Sequence, residues 1–295
     1  MRSRMLLVAG VGATLLTLAA CGSTVAGSPT AAGGGSAGGS GGGGTSQKIT
    51  TVSDLGAIVQ HNASSKNSAH VTMAMNVGGM GAINATGDIK FDGTQSAEQM
   101  SMTLPGMGDM QIVVIGTTTY MKLPSSLAGL TGGTGTTKPW MKIDLSGNDA
   151  LSKSLGSTAG LADQTDPTQL IKKIAQAGKI TNVTQDTVDG APATHYSITV
   201  DVQKMLTTMT GSANDAEKQA LTQLGLKTMP FDIWVNSDNL PVKITTDMAF
   251  SGSAMSAAGG GAPTQVDVTV NYTNWGESIN IQAPPADQVG TLGGN

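Results

Sequence analysis

The sequence predicts an α+β fold: a curved antiparallel β-sheet with helices covering one face. Three observations carry this expectation. Apolar and polar residues alternate in about eleven short runs, the signature of strands with one dry and one wet face. Most of these runs are joined by short turn signals such as Asp189-Gly190, which favours antiparallel neighbours over repeated βαβ crossovers. Between them lie four or five segments whose apolar residues recur at helical spacing.

In chain order, Val52, Leu55, Ile58 and Val59 predict a helix over 51–66, ended by Asn67-Ser68. Val71, Met73, Met75 and Val77 then alternate against His70, Thr72, Ala74 and Asn76, and a second strand is expected over 82–91 before Asp92-Gly93. Met100, Met102 and Leu104 alternate up to Pro105-Gly106, followed by strands over 110–115, 119–123 and 140–143, with a Gly-rich loop at 129–137 before the last of these. Asp166-Pro167 is a helix start, an N-cap acceptor followed by proline at the first helical position, and its stripe Leu170, Ile171, Ile174 stops at Gly178. A hairpin of 180–188 and 194–200 turns at Asp189-Gly190. Helices are expected over 202–209 and 213–224, and strands over 231–235, 242–250, 266–272 and 279–281, with Pro284-Pro285 ending the fold.

The chain has 295 residues, a net charge of −4 and a pI near 5.2, which disfavours a nucleic-acid partner because such proteins present a basic face. Charged residues make up only 12%, so the wet surface must be built from hydroxyls, amides and backbone. A single cysteine excludes an internal disulfide and a cysteine-cluster metal site.

Where that cysteine sits is informative. Arg2 and Arg4 precede a 14-residue apolar stretch, too short for a comfortable permanent span but suited to a signal peptide. It ends in Leu18-Ala19-Ala20-Cys21-Gly22, which resembles the bacterial lipobox, where the thiol receives diacylglycerol before cleavage. Residues 1–20 are therefore expected to leave as a lipoprotein signal peptide. The remaining chain carries fourteen basic and twenty acidic side chains, a net charge of −6, so attachment to a membrane has to come from the lipid on Cys21. Residues 21–49 are rich in Gly and Ser and read as a flexible tether with a reach of about 30 Å. Residues 50–286 form the expected folded domain and 287–295 an unstructured tail. Anchor and tether place the domain on the extracytoplasmic face of the cell membrane.

An apolar sheet face needs a cover. Eleven strands at about 4.8 Å make a sheet about 50 Å across, and four helices about 10 Å wide leave part of it bare. The arithmetic permits an apolar cavity and equally a filled core. Methionine weighs towards the cavity: there are 16 Met against 3 Phe, and unbranched thioethers conform to ligands of variable shape. Gap-filling in an aromatic-poor core explains the same count, and a thioether copper site is a third use of methionine. The candidate cavity residues are Val71, Met73, Met75, Met100, Met102, Ile112, Val114, Met121 and Leu123.

Catalytic motifs are missing: there is no His-Glu-x-x-His, no Gly-x-Ser-x-Gly and no phosphate-binding Gly-rich loop ending in Lys-Ser/Thr. His61 falls on the exposed side of the first helix, and His70 and His195 on polar strand faces, as solvated or structurally bonded histidines do. No enzyme activity, cofactor or metal is expected.

Several short motifs carry a resemblance. The lipobox at Cys21, Trp140 before Lys142-Ile143, Val188-Asp189-Gly190 with Thr194-His195-Tyr196, Ile233-Trp234-Val235 with Leu240-Pro241-Val242-Lys243, and Tyr272-Thr273-Asn274-Trp275-Gly276 with Ala283-Pro284 resemble the LppX/LprAFG family of actinobacterial lipoproteins. Carriers of the LolA type are similar in architecture. The resemblance implies a half-open β-barrel with helices on its concave side, a hydrophobic cavity for acyl chains, and binding or shuttling of acylated lipids or lipoglycans within the envelope, together with a lipid transporter. It brings no catalytic residues. The long Gly tether, the Gly-rich loops at 129–137 and 258–261 and the few aromatics depart from the pattern. The alternative from another class is a non-catalytic envelope scaffold or sensor whose sheet face is filled.

Overall fold

The computed structural model describes residues 49–78, 81–91, 97–124, 126, 138–144, 166–208, 218, 222, 225–250 and 264–291. The signal peptide, Cys21, nearly all of the tether, both Gly-rich loops and most of the helix expected at 213–224 lie outside these residues. Helix α1 (Val52–Lys66) starts on a reciprocal cap: the Thr51 hydroxyl accepts from the Asp54 N–H and the Asp54 carboxylate accepts from the Thr51 N–H, both at 3.1 Å. It ends at Asn67, which takes the left-handed conformation (φ 63°) at the C-cap. Strands β1 (Ser68–Val77), β2 (Gly81–Lys90), β3 (Ala97–Leu104), β4 (Gly108–Ile115), β5 (Thr118–Lys122) and β6 (Trp140–Asp144) follow.

Helix α2 (Pro167–Ala175) starts as the sequence predicts, with Asp166 accepting from the Thr168 N–H at 2.8 Å and Pro167 in the first turn. Then come β7 (Gly178–Val188), β8 (Ala191–Asp201), helix α3 (Val202–Thr208), β9 (Thr228–Val235), β10 (Pro241–Phe250), β11 (Thr264–Thr273) and β12 (Val289–Thr291). The β7–β8 hairpin pairs Val188 with Ala191 across Asp189 and Gly190, both at positive φ (51° and 82°), the two-residue turn whose twist suits paired strands.

All twelve strands join one curved, unclosed sheet, ordered β12-β6-β5-β4-β3-β2-β1-β11-β10-β9-β8-β7. It consists of two meanders, β1–β6 and β7–β11, fused where β1 pairs with β11. Every described pairing is antiparallel except β12 with β6. The α+β class and the curved antiparallel sheet expected from the sequence are what the structure shows.

Two expectations at the carboxyl end are corrected. Residues 279–281 are not a strand, and the chain beyond 286 is not wholly a tail: Val289–Thr291 is β12, paired in parallel with Trp140–Lys142. The reason is the path of the chain. Gly276 donates to the Ser68 carbonyl at 3.0 Å, at the start of β1, whereas β12 lies beside β6, five strands away. The segment between must cross the strands, and a crossing chain cannot form a ladder with any of them.

The helices pack on one face of the β7–β11 half. Val52, Leu55 and Val59 of α1, Leu170, Ile171 and Ile174 of α2, and Val202 and Met205 of α3 form one buried cluster with Val71, Tyr196, Ile198, Phe231, Ile233, Ile244, Val270 and Tyr272. The α1–α2 contact is close at Gly56, where a Cβ would sit 3.3 Å from Ile171 Cγ2. No helix among the described residues is long and apolar enough to cross a membrane.

Candidate functional site

The ladder registers fix which side chains share a face. One row runs Tyr272, Val71, Gly87, Met100, Ile112, Met121, Met141 across seven strands. The adjacent row runs Val270, Met73, Ala85, Met102, Met110, and the row on the other side Ile89, Glu98, Val114, Thr119, Ile143. Met75 pairs with Val268 and Ile83 on the same face. Eight of the nine sequence-derived cavity candidates therefore share one face, and Leu123, just beyond β5, packs against its Ile112–Val114–Met121–Ile143 cluster.

That face divides in two. Val71 belongs to the helix-packed core, with Met73 against its border. Met100 and Met102 with Ala85, and Ile112, Val114 and Met121 with Ile143, form two further clusters separate from it. Met73 and Met75 are half-buried, whereas Met100, Met102 and Met121 are 5–7% exposed. Gly87, between Val71 and Met100, has no room for a side chain: a Cβ would overlap the Gln99 carbonyl oxygen and lie 2.9 Å from Met100 Cα.

Two polar groups interrupt this oily surface in the row through Val114. Glu98 is buried (6% exposed), and Thr119 is 1% exposed. The Thr119 hydroxyl oxygen has no hydrogen-bond partner among the described residues. An unsatisfied buried hydroxyl costs about 1–3 kcal/mol, so a ligand oxygen arriving there gains a ready partner. Periodicity counts apolar positions, so both residues escaped the sequence reading.

Burial pushes the Tyr272 phenol well above its usual value of 10.0, with the negative charges of Asp166 and Glu98 acting in the same direction. The folded state thus holds this proton more tightly than the unfolded chain does. Its contribution to stability is complete below pH 10 and is lost as the pH rises through the folded-state value, by at most about 1.4 kcal/mol per pH unit. The melting temperature is expected to fall above pH 10, and more shallowly in Tyr272→Phe. Burial also raises Tyr196, so part of the slope should remain in the variant. A slope unchanged by the substitution would contradict the assignment to Tyr272.

The opposite face is wet and carries His70 and His195, as the alternation predicts, while His61 is exposed on α1. Nδ1 of His70 lies 2.7 Å from Asp88 Oδ1, and its Nε2 3.2 Å from Thr86 Oγ1. His195 stacks on Trp234 with ring centroids 4.2 Å apart and places Nε2 2.6 Å from Asp232 Oδ1. Trp234 donates its indole N–H to Asp186 at 2.8 Å, and the Lys243 ammonium sits 4.8 Å from its ring centroid. The hydrogen bond from Trp234, and after it the one from the Thr187 backbone N–H at 2.7 Å, hold the Asp186 carboxyl below the usual carboxylate range.

Asp88, His70 and Thr86 have the chemical order of a nucleophilic triad. Thr86, however, lies mid-strand between two ladders, on β1 and β3, which engage the local backbone and leave no N–H cradle for an oxyanion. The arrangement suits hydrogen bonding to a ligand better than acyl transfer. Among the described residues no group of three or more His, Cys, Asp or Glu is placed to hold a metal ion.

Beside this trio lies a cleft of about 340 Å³. His70, Thr86, Asp88, Gln99, Ser101, Gln111 and Val113 form its floor, and Trp140, Gln282, Pro284 and Pro285 border it, with Met100 touching its edge. It lies on the polar face, so it is not the oily chamber that the sequence argument pictured behind the methionines.

No family model matches the chain. It is 28% identical over 249 residues to an uncharacterised 31.2 kDa protein encoded in the rplA-rplJ intergenic region of Streptomyces griseus, covering 82% of this chain and 72% of that protein. Among solved structures it is similar to LprF from Mycobacterium bovis, with a TM-score of 0.38 and 14% identity, covering 80% of this chain and 99% of that one. It is similar also to the MucA/MucB complex of Pseudomonas aeruginosa (TM-score 0.34, 13% identity, 80% of this chain and 60% of that one). A LolA superfamily protein from Nitrosomonas europaea gives a TM-score of 0.25 at 8% identity, covering 81% of this chain and 97% of that one. The short sequence motifs resemble the LppX/LprAFG family, and the LolA type is similar in architecture alone.

Proposed function

We propose that this chain is a non-catalytic lipoprotein, anchored through Cys21 to the extracytoplasmic face of the cell membrane, that binds an acylated lipid or lipoglycan and shuttles it within the envelope. The observation that carries the reading is the register of the β1–β6 half. It lines up Met73, Met75, Met100, Met102, Met121 and Met141 on one face, with most of them outside the core cluster built by α1–α3. Burying ten to fifteen methylenes of an acyl chain against such a face releases about 8–12 kcal/mol before ordering costs, enough for about micromolar binding after them. The Thr119 hydroxyl, without a partner among the described residues, supports the reading, because an ester or hydroxyl of the bound lipid would satisfy it.

One observation favours a rival. Met100, Met102, Met121 and Ile143 are already 2–7% exposed, as they would be in a scaffold or sensor with a filled face. Substituting Met121→Trp separates the two. If the face accommodates a chain, the wild type binds cis-parinaric acid saturably, and the variant keeps its melting temperature while losing most of that binding. If the face is filled, the wild type takes up no probe and the added bulk destabilises by about 1–3 kcal/mol.

A further inference from the structure

We infer that the cleft between the carboxyl-terminal crossing segment and the polar face of β1–β4 binds a neutral saccharide. It faces away from the methionine surface, so this inference does not depend on lipid binding.

The chemistry of the walls selects the ligand class. The described residues lining the cleft include no Lys or Arg and a single carboxylate, that of Asp88, so a phosphate or carboxylate ligand would meet no lysine or arginine charge there. Instead the floor presents two side-chain amides (Gln99, Gln111), two hydroxyls (Thr86, Ser101) and the His70–Asp88 pair. These groups donate and accept in alternation, as the hydroxyls of a sugar do. They occupy two neighbouring rows of the sheet, Asp88 beside Gln99 and Thr86 beside Ser101 and Gln111. Partners therefore recur about every 4.8 Å across the strands and about every 7 Å along them. Trp140, Pro284 and Pro285 add flat apolar surface against which the C–H face of a sugar ring can lie. The volume falls at the lower end of the range of about 300–1,000 Å³ usual for small-ligand sites.

The site is also built in advance. His70 is held through both ring nitrogens. The crossing segment is tied at one end by the Gly276 N–H to Ser68 and by the Ser68 hydroxyl, which donates to the Glu277 carbonyl at 2.6 Å. At the other end β12 pairs with β6, and the Lys138 ammonium donates to the Asp287 carbonyl at 2.6 Å. Between the ties, consecutive prolines stiffen the chain, with Pro285 near polyproline II geometry (φ −52°, ψ 133°). Walls fixed without a ligand lower the ordering cost of binding one.

The test follows the indole N–H resonances of the full-length chain, with Trp140 assigned by Trp140→Phe, during titration with maltose, cellobiose and mannobiose. A microarray of neutral glycans is screened alongside. The expected result is a saturable shift of the Trp140 signal with at least one neutral glycan, weakened at least tenfold by Gln99→Ala/Gln111→Ala at unchanged melting temperature. Should that double variant melt early, Ser101→Ala carries the same test with a smaller loss. The inference is overturned if no neutral glycan moves Trp140 at about 10 mM, if binding survives these variants intact, or if inorganic phosphate or citrate shifts Trp140 more strongly than any sugar.

Discussion

Cys21→Ala is expected to move the protein out of the membrane fraction, or to leave the uncleaved precursor behind, and to abolish palmitate labelling. Cys21 is the only thiol in the chain and stands directly behind Leu18-Ala19-Ala20. The chain after residue 20 is acidic and is repelled by anionic lipid, and no described helix is long and apolar enough to span. A single acyl chain holds a protein only marginally, with a constant of about 10⁴ M⁻¹, whereas the two chains of a diacylglycerol give stable anchoring. The contrast should therefore be close to all or none in palmitate labelling. A Cys21→Ala chain that stays membrane-bound and takes up labelled palmitate would remove the anchor from the account.

The largest stability effect is expected at the helix–sheet seam. Ile171 is fully buried in the cluster that joins α1, α2 and the β7–β11 half of the sheet, against the close approach at Gly56. Truncation to alanine removes three carbons from a site whose walls are two helices and a sheet, none of which can easily close the gap. The expected cost is about 2–5 kcal/mol, out of a total of about 5–15 for a domain. At about 2–4 °C per kcal/mol for a domain of this size, the melting temperature should drop by roughly 5–20 °C, read by circular dichroism. A loss below about 2 °C would mean that α2 does not pack into the sheet as described.

The local elements could be read from the sequence because their signals are local. The Thr51–Asp54 cap, Asp166-Pro167 and the Asp189-Gly190 turn each lie within a few residues of the structure they specify. Strand alternation likewise grouped Val71 with Met73 and Met100 with Met102 within their strands but left open which parity faces inward; the ladders put these residues and Met121 on a single face. What escaped was non-local. The division of the apolar face into a helix-covered half and a methionine half follows from the pairing of β1 with β11, about two hundred residues apart, which no window of the sequence contains. Ile279 and Ile281 alternate as a strand would, but the segment runs across the sheet. β12 has only three residues and pairs in parallel with a distant strand, so it leaves no periodic trace. The polar cleft draws residues from five strands and the crossing segment. Trp140 and Pro284-Pro285 were visible as motifs, but their proximity was not.

The most direct test of the central claim, that the methionine face of β1–β6 takes up hydrocarbon, is native mass spectrometry of the full-length chain after detergent-free purification and incubation with a long-chain phospholipid. The expected result is a retained adduct with the mass of that lipid, lost on Met121→Trp. A spectrum showing only the bare chain, at lipid concentrations well above micromolar, would contradict it.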